Sequence, residues 1–201
     1  MSPLKPDLDL VIEPGQRIGL LGGSFNPAHA GHLHISLQAL RRLNLDEVLW
    51  LVSPQNPLKP TDGMRPQAER LASAKEMSKG HRIQATDIET RMGTRYTVDT
   101  LCALKERYPN VKFVWLMGAD NLFQIRRWHN WRMIFRMLPV AIFARPKYSG
   151  RAKTSKAARR FARFQVSENR ATSLADKRPP AWVFFNTRLD TTSATRIRNR
   201  A

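Results

Sequence analysis

The stretch Arg17-Ile-Gly-Leu-Leu-Gly-Gly-Ser-Phe-Asn-Pro-Ala-His-Ala-Gly-His-Leu-His-Ile35 decides how the rest of the chain is interpreted. Residues 18–21 form a short apolar run that ends at Gly22-Gly23, which predicts a buried strand followed by a tight turn. Further on, apolar residues recur at helical spacing (Leu33, Leu37 and Leu40), so we expect a helix to begin near Ala30 or Gly31. A strand, a glycine turn and a helix in this order leave free backbone N–H groups at the helix N-terminus, which is a favourable place for a phosphate.

Two histidines, His29 and His32, distinguish this stretch from an ordinary glycine turn. Residues three apart share a helix face, so both imidazoles can point into one crevice. Gly31 carries no side chain, so a ligand can approach the backbone between them. The stretch matches neither G-x-x-x-x-G-K-[ST] nor G-x-G-x-x-G. Two histidines without a Walker lysine favour nucleotidyl transfer over γ-phosphate hydrolysis.

A structural interpretation of the same histidines is a pair of surface side chains or half of a zinc site. Zinc would need further ligands, and the remaining candidates, Cys102, His81 and His129, stand at no metal-ligand spacing. We therefore predict no metal ion bound by protein side chains.

Beyond this stretch, strand-like apolar runs alternate with helical patterns. The predicted strands are residues 47–52, 82–86, 111–117, 140–144 and 182–185, and the predicted helices are residues 67–79 and 98–108. Thr97 is the predicted N-cap of the helix 98–108. Trp128 and Trp131 are expected to flank a short helical stretch. Gly118 and Asp120 follow the strand 111–117, where open α/β sheets bind ligands. The alternation predicts an α/β fold with a doubly wound parallel sheet.

The length of 201 residues is enough for one domain with a full core. We expect a single domain over residues 1–201, with residues 1–16 as a loosely ordered lead-in and residues 147–181 as a basic insertion. The chain has no apolar run of 18 residues, and its N-terminus has no signal-peptide pattern. The single Cys102 excludes an intrachain disulfide and fits a reducing compartment. These features predict a soluble cytoplasmic protein, and they do not fix its oligomeric state.

The charge of the chain is strongly positive, with a formal net value of +18. From Arg151 to Arg178 there are nine Lys or Arg and two acidic residues. In this segment the spacing predicts an amphipathic helix with one basic face (Lys156, Arg159, Arg160 and Arg163) and one apolar face (Ala157, Ala158, Phe161 and Phe164). A positive field attracts nucleic acid and also steers small anions such as ATP, so composition leaves both classes of partner open.

The residues 22–32, Gly-Gly-Ser-Phe-Asn-Pro-Ala-His-Ala-Gly-His, resemble the H-x-G-H signature of the nucleotidylyltransferase superfamily. More closely, they resemble the bacterial nicotinate-nucleotide adenylyltransferases. The second superfamily signature, S-x-T-x-x-R near the C-terminus, is matched by Ser193-Ala-Thr-Arg-Ile-Arg198. Two signatures in the right order at opposite ends of one chain carry this resemblance. It covers residues 17–146 and 182–200 and implies a Rossmann-like fold.

The resemblance implies roles for particular residues. Transition-state stabilisation falls to three catalytic residues, His29, His32 and Arg198. ATP is expected to contact the glycine loop (Gly22, Gly23, Ser24 and Phe25), the second strand end (Gly118 and Asp120) and the C-terminal motif (Ser193 and Thr195). The acceptor nucleotide is expected to contact Asn56 and Lys59 in the loop Ser53-Pro-Gln-Asn-Pro-Leu-Lys59, Thr97 near the pyridine carboxylate, and Trp128 stacked on the pyridine ring. Mg²⁺ is expected on the ATP phosphates.

The sequence departs from the family pattern at two places. Arg145-Pro-Lys147 stands where Arg-Pro-Gly is usual, and Arg95 replaces the serine that usually precedes the tyrosine. The resemblance implies transfer of the adenylyl group of ATP to nicotinate mononucleotide, with release of pyrophosphate, in NAD biosynthesis. The alternatives are another phosphate acceptor, nicotinamide mononucleotide or phosphopantetheine, and a basic nucleic-acid-binding protein.

Overall fold

One parallel sheet organises the chain. The computed structural model describes residues 10–55, 62–145 and 148–186. In these residues the strands are β1 (Arg17–Gly23), β2 (Glu47–Val52), β3 (Ile83–Thr86), β4 (Lys112–Gly118), β5 (Val140–Phe143), β6 (Gln165–Val166) and β7 (Trp182–Phe185). Their order in the sheet is β3-β2-β1-β4-β5-β7-β6, and every pairing is parallel. The doubly wound parallel sheet that the sequence predicts is confirmed.

Helices cover both faces of this sheet. In the described residues they are α1 (Ala30–Arg42), α2 (Gln67–Ser78), α3 (Ile88–Arg91), α4 (Thr97–Arg107), α5 (Ala119–Gln124), α6 (Trp131–Met137), α7 (Ser149–Lys153) and α8 (Lys156–Arg160). Side chains of α1 and α2 pack in one apolar cluster with Trp50 and Val114, and those of α4 to α8 pack in a second cluster with Leu49 and Trp115. Since successive residues of a strand point to opposite faces, the near-continuous apolar runs of β2 and β4 feed both clusters.

The chain reverses its direction of winding between β1 and β4. From β1 it proceeds outward through β2 to β3, then crosses back to β4 and proceeds the other way through β5. Ligands of open α/β sheets bind at such a switch point, outside the carboxyl ends of the strands. Gly22 and Gly23 end β1, and Gly118 ends β4. The two predicted glycine positions therefore meet at the switch point.

Two local predictions need correction, and one short helix was not predicted. Helix α4 begins at Thr97 with Tyr96 as the N-cap, so the predicted N-cap at Thr97 is wrong by one residue. Tyrosine carries no short side-chain oxygen, so a pattern based on capping oxygens selects its neighbour instead. Trp128 and Trp131 flank a turn that contains left-handed Asn130 (φ 44°), with helical segments outside the pair. The one-turn helix α3 was not predicted.

The basic segment has the amphipathic pattern that the sequence predicts. In α8 and the 3₁₀ turn that follows it, Ala157, Ala158 and Phe161 are buried, and the four basic residues of the other face are exposed. The segment also contributes β6 and a 3₁₀ helix (Glu168–Asp176) whose Asp176 pairs with Arg17 and Lys112 at 2.8 and 2.7 Å. That residues 147–181 are an insertion stays a prediction, as do the domain limits 1–201.

Replacing the four basic residues of this face (Lys156, Arg159, Arg160 and Arg163) with glutamine should leave kcat within a few-fold of its original value. The side chains lie in solvent, so their charges act on substrates only through the long-range field. Steady-state kinetics at low and high salt should show slower capture of anionic substrates at low salt and recovery at high salt. A collapse of activity at every ionic strength would mean that the segment enters the active site.

Candidate active site

The two histidines cap the helix that carries them. His29 is the N-cap of α1, and its Nδ1 accepts a hydrogen bond from the backbone N–H of Gly31 at 3.1 Å. The Nδ1 of His32 accepts one from the backbone N–H of His29 at 3.2 Å. The two ring centroids are 3.8 Å apart. The two imidazoles therefore lie side by side, as their spacing on the helix predicts, and each ring is also fixed by a backbone donor.

These two hydrogen bonds decide where each imidazole carries its proton. A nitrogen that accepts from a backbone N–H has no hydrogen of its own, so the neutral form of each ring is protonated on Nε2. Both histidines are thereby set up as Nε2–H donors. Oxygen atoms of a phosphate are suitable acceptors for such donors.

A column of buried groups supports the His32 ring from behind. The Phe25 ring lies 4.6 Å from the His32 ring and stacks on Trp50 at 5.1 Å between centroids. The indole N–H of Trp50 donates to the Ser36 hydroxyl at 2.8 Å, and that hydroxyl donates to the His32 carbonyl at 2.9 Å. Phe25 is buried at 2% exposure, so its side chain orients the histidine instead of opening into the crevice.

Gly22 lets β1 lie close to the ring of Trp115, because glycine has no side chain. A Cβ atom at Gly22 would lie 2.6 Å from the Trp115 ring, closer than real Cβ atoms come. Trp115 in turn makes an edge contact with Trp128 at 6.4 Å between centroids. The structure therefore connects the glycine loop, through one buried tryptophan of β4, to the tryptophan predicted to cover the pyridine ring.

Strand β4 ends at Gly118, beside the end of β1. A Cβ atom there would collide with the Asp120 carboxylate and the Arg145 side chain, which form an ion pair at 3.5 Å. Asp120 comes from the first turn of α5 and Arg145 from the residues that follow β5. The Arg145 charge holds the Asp120 side chain beside the end of β4. Both residues are half-buried, and the pair lies at the end of β4, beside the switch point of the sheet.

The N-terminus of α4 offers unpaired backbone donors. The N–H groups of Asp99 and Thr100 both bond to the Tyr96 carbonyl, at 3.0 and 3.2 Å, and the Tyr96 side chain caps nothing. In the described part of the chain, the N–H groups of Thr97 and Val98 have no acceptor. The Tyr96 ring stacks on His129 at 4.4 Å, which brings the start of α4 next to the segment that follows Trp128.

The remaining predicted site residues, Asn56, Lys59, Ser193, Thr195 and Arg198, lie outside the described residues. Ser24 lies at the buried end of the glycine loop, and its carbonyl accepts from Arg70 at 2.5 Å.

Arg70 is a site residue that the sequence reading missed. Only 2% of it is exposed, and its guanidinium donates to the carbonyls of Arg65, Ser24, Ser53 and Pro54 at 2.5 to 2.9 Å. These bonds tie the glycine loop after β1 to both ends of the loop after β2. Burial lowers the pKa of this guanidinium, but arginine stays charged in proteins. Arg70 therefore places a buried positive charge under both predicted substrate loops.

A weak signal for Arg70 existed in the sequence. In α2 the buried residues are Arg70, Ala74 and Ser78, four apart along one face. An arginine on the inward face of a helix is costly unless its donors are satisfied. Its position could therefore have indicated a structural role before the loops were known.

Glu89 of α3 was also missed. It is 8% exposed, and the Thr100 hydroxyl donates to its carboxylate at 3.4 Å. Burial raises the pKa of this carboxyl to about 7, and the Thr100 hydrogen bond opposes the rise. Nothing in the local sequence distinguishes Glu89 from an exposed helical glutamate, because its burial comes from the packing of α3 and α4.

Glu89→Gln should weaken the dependence of the free energy of unfolding on pH. The folded pKa is raised above the unfolded value, so the contribution of Glu89 to the free energy of unfolding is largest below about pH 4.5 and is lost as the pH rises through 7. The shift corresponds to about 3 kcal/mol lost by pH 8. Glutamine cannot ionise, so the variant should lose less stability than the original chain between pH 5 and pH 8. Urea unfolding at both pH values measures the difference, with the exposed Glu106→Gln as the matched control.

The sequence of this chain matches known proteins over most of its length. Residues 20–200 match the family described as cytidylyltransferase-like. A protein of Caulobacter sp. (strain K31), named probable nicotinate-nucleotide adenylyltransferase, is 50% identical over 184 residues, 92% of this chain and 97% of its own. A protein of the same name from Cereibacter sphaeroides (strain ATCC 17025 / ATH 2.4.3) is 55% identical over 181 residues, 90% of this chain and 96% of its own.

Solved structures agree with the fold. The nicotinic acid mononucleotide adenylyltransferase of Plasmodium falciparum, complexed with NaAD, superimposes with a TM-score of 0.68 at 18% identity. The match covers 92% of this chain and 83% of that one. No helix in the described ranges is long and apolar enough to cross a bilayer. By the extent and identity of its sequence matches, the chain belongs to the cytidylyltransferase-like family and, within it, to the nicotinate-nucleotide adenylyltransferases.

Proposed function

We propose that this chain transfers the adenylyl group of ATP to nicotinate mononucleotide, giving nicotinate adenine dinucleotide and pyrophosphate, in NAD biosynthesis. The observation that carries the proposal is the pair of adjacent histidines at the switch point, each held by a backbone N–H, in a chain about half identical to relatives of that name over nine-tenths of its length. The positive charge needs no nucleic acid to explain it, because both substrates are anions that the same field attracts.

In this reaction an oxygen of the mononucleotide phosphate attacks the α-phosphorus of ATP, and the bond from that phosphorus to the bridging oxygen of pyrophosphate breaks. No covalent intermediate with the protein is needed, since the acceptor phosphate is itself the nucleophile. Negative charge builds on the oxygens of the transferred group and on the departing pyrophosphate. We assign the Nε2–H groups of His29 and His32 to the first charge, and Ser193, Thr195 and Arg198 to the second.

For ATP, we assign the backbone of Gly22, Gly23, Ser24 and Phe25 to the phosphates, with Gly118 and Asp120 beside the adenosine. The position of the glycines at the ends of β1 and β4 supports this, because ligands of open α/β sheets bind outside such strand ends and glycine lets a ligand approach the backbone closely. Phe25 would contact ATP through its backbone, since its ring lies against His32 and Trp50.

For the acceptor, we assign the N–H groups at Thr97 to the pyridine carboxylate and Trp128 to the face of the ring. Two unpaired donors at the N-terminus of an 11-residue helix favour an anion. A half-buried tryptophan suits a flat heteroaromatic ring. Asn56 and Lys59 complete the assignment, at the base and at the phosphate of the mononucleotide.

ATP is expected to enter as its Mg²⁺ complex. In the ranges that the structure describes, no group of three or more His, Cys, Asp or Glu side chains could hold a metal ion. Mg²⁺ keeps several waters and binds readily through substrate phosphates, so this set of side chains is compatible with an ion brought in by ATP. We also propose a cytoplasmic location, for which the single Cys102 is the support.

Pyrophosphate release from ATP, measured with each acceptor in turn, tests the proposal. We expect rapid release with nicotinate mononucleotide and slow release with nicotinamide mononucleotide or phosphopantetheine. Release only with phosphopantetheine would contradict the proposed acceptor and keep the nucleotidyl transfer.

A further inference from the structure

A buried hydrogen-bonded cluster lies directly behind the Thr97 donors. Glu89, Thr94 and Thr100 form it: the hydroxyls of the two threonines are 2.8 Å apart, and Thr100 donates to the Glu89 carboxylate at 3.4 Å. The Glu89 carbonyl accepts from the backbone N–H of Thr94 at 2.9 Å, and the Thr94 hydroxyl donates to Thr100 when Thr100 donates to the Glu89 carboxylate. Glu89 therefore bonds to both ends of the segment 94–100.

The same cluster reaches the N-cap of α4. The Thr100 hydroxyl also lies 3.4 Å from the carbonyl of Tyr96, the residue whose position starts the helix. Thr97 and Thr100 are three residues apart, so they lie on one face of the first turn. A hydroxyl carries one hydrogen, so Thr100 donates either to the Glu89 carboxylate or to the Tyr96 carbonyl, and a change at the Glu89 carboxyl alters that choice beside the Thr97 and Val98 N–H groups.

We infer that Glu89 is a positioning residue for the acceptor: through Thr100 and Thr94 its carboxyl holds the first turn of α4 so that the Thr97 and Val98 N–H groups face the ring carboxylate of the nucleotide. The inference rests on the proposed function, which supplies the anionic ring.

The protonation state of Glu89 matters to this role. Protonated, the carboxyl is neutral and compatible with a second carboxylate bound nearby. Ionised, it adds a buried negative charge behind the donors and opposes the binding of that carboxylate. Burial raises the pKa of Glu89 to about 7, so the two forms exchange near neutral pH.

Four charged side chains lie on the segments around Glu89, and each has contacts or an exposure of its own. On α3 itself, Asp87 and Arg91 pair with each other at 2.8 Å. Asp99 on α4 is exposed, and Arg95 extends over the Tyr96 ring. Strand β2 contributes the apolar side chains of Leu49 and Leu51 to the same cluster as Ile88 of α3. Burial raises the pKa of Glu89, and the hydrogen bond from Thr100 lowers it.

The test measures KM for nicotinate mononucleotide and for ATP between pH 6 and pH 8.5 in the original chain and in Glu89→Gln. If the ionised form binds the acceptor poorly, its KM should rise by about tenfold for each pH unit above 7, an effect that Glu89→Gln should remove. The KM for ATP and kcat should follow the same course in both proteins. The acceptor phosphate and every other side chain are the same in both proteins, so the difference between the two profiles belongs to Glu89.

A second pair of variants separates positioning from charge. Glu89→Ala and Thr100→Val should each raise the acceptor KM by about tenfold at pH 6, the loss expected for a broken buried hydrogen bond, with kcat and ATP KM within about threefold. Glu106→Gln, at an exposed glutamate of α4, is the matched control. Circular dichroism shows whether each variant folds, and the isosteric Glu89→Gln carries the test if Glu89→Ala does not.

Identical pH profiles in the original chain and Glu89→Gln, with rapid turnover of nicotinate mononucleotide, would overturn this inference alone. Absence of turnover with nicotinate mononucleotide at every pH would overturn the proposed function, and the inference with it.

Discussion

His32→Ala should remove nearly all turnover while ATP affinity falls much less. An Nε2–H donor aimed at charge that develops only in the transition state contributes about 3 kcal/mol or more to kcat, and less to ground-state binding. That energy corresponds to about a hundredfold or greater loss of kcat. Pre-steady-state ATP binding and steady-state kcat, measured on the same preparation, give the two quantities.

The cap that His32 provides makes a second variant necessary. Its Nδ1 accepts from the backbone N–H of His29, so alanine removes a helix cap as well as a donor. In His32→Asn the side-chain oxygen can take over the cap, but no N–H remains at the Nε2 position. We expect this variant to unfold at nearly the original temperature and to lose kcat as fully as the alanine variant. Equal losses in kcat and in ATP affinity would instead point to simple binding or to misfolding.

The sequence predicts the frame of the site well because short-range rules determine it. Gly22 and Gly118 end apolar strands, and a parallel sheet brings such ends to one edge. The side-by-side position of His29 and His32 follows from helical spacing alone. That each histidine would cap the helix backbone was not predictable, because histidine is not among the usual capping residues.

What the sequence does not predict comes from contacts between distant parts of the chain. Arg70 is important because four carbonyls from three loop segments converge on it. No spacing rule encodes that convergence. The start of α4 at Thr97 depends on Tyr96 and on the Glu89 cluster behind it, which a one-turn helix brings into place. Buried polar groups of this kind are visible only once their partners are in position.

The choice of acceptor is the part of the proposed function that an experiment can most easily contradict. A ring carboxylate loses its water on entering the site and needs donors to offset that cost. The Thr97 and Val98 N–H groups have no acceptor in the described residues, so they are available for the carboxylate. An amide in its place would turn an NH₂ group toward donors. A site built for a particular hydrogen bond can reject an analogue that lacks it by several powers of ten in kcat/KM, about 10⁴ or more in favourable cases.

We therefore expect a preference of at least about a hundredfold in kcat/KM for nicotinate over nicotinamide mononucleotide. Trp128→Ala should lose part of this preference, because the indole fixes the plane of the ring and thereby the direction in which its carboxylate points. Trp131→Ala is the matched control: that indole packs against Phe135 and Phe161, away from the Tyr96–His129 stack, so the preference should survive its removal. Competition between the two acceptors in one reaction mixture measures the ratio directly. Equal use of both would overturn the nicotinate assignment and leave the adenylyl transfer standing, because the histidine pair acts on ATP whichever acceptor is bound.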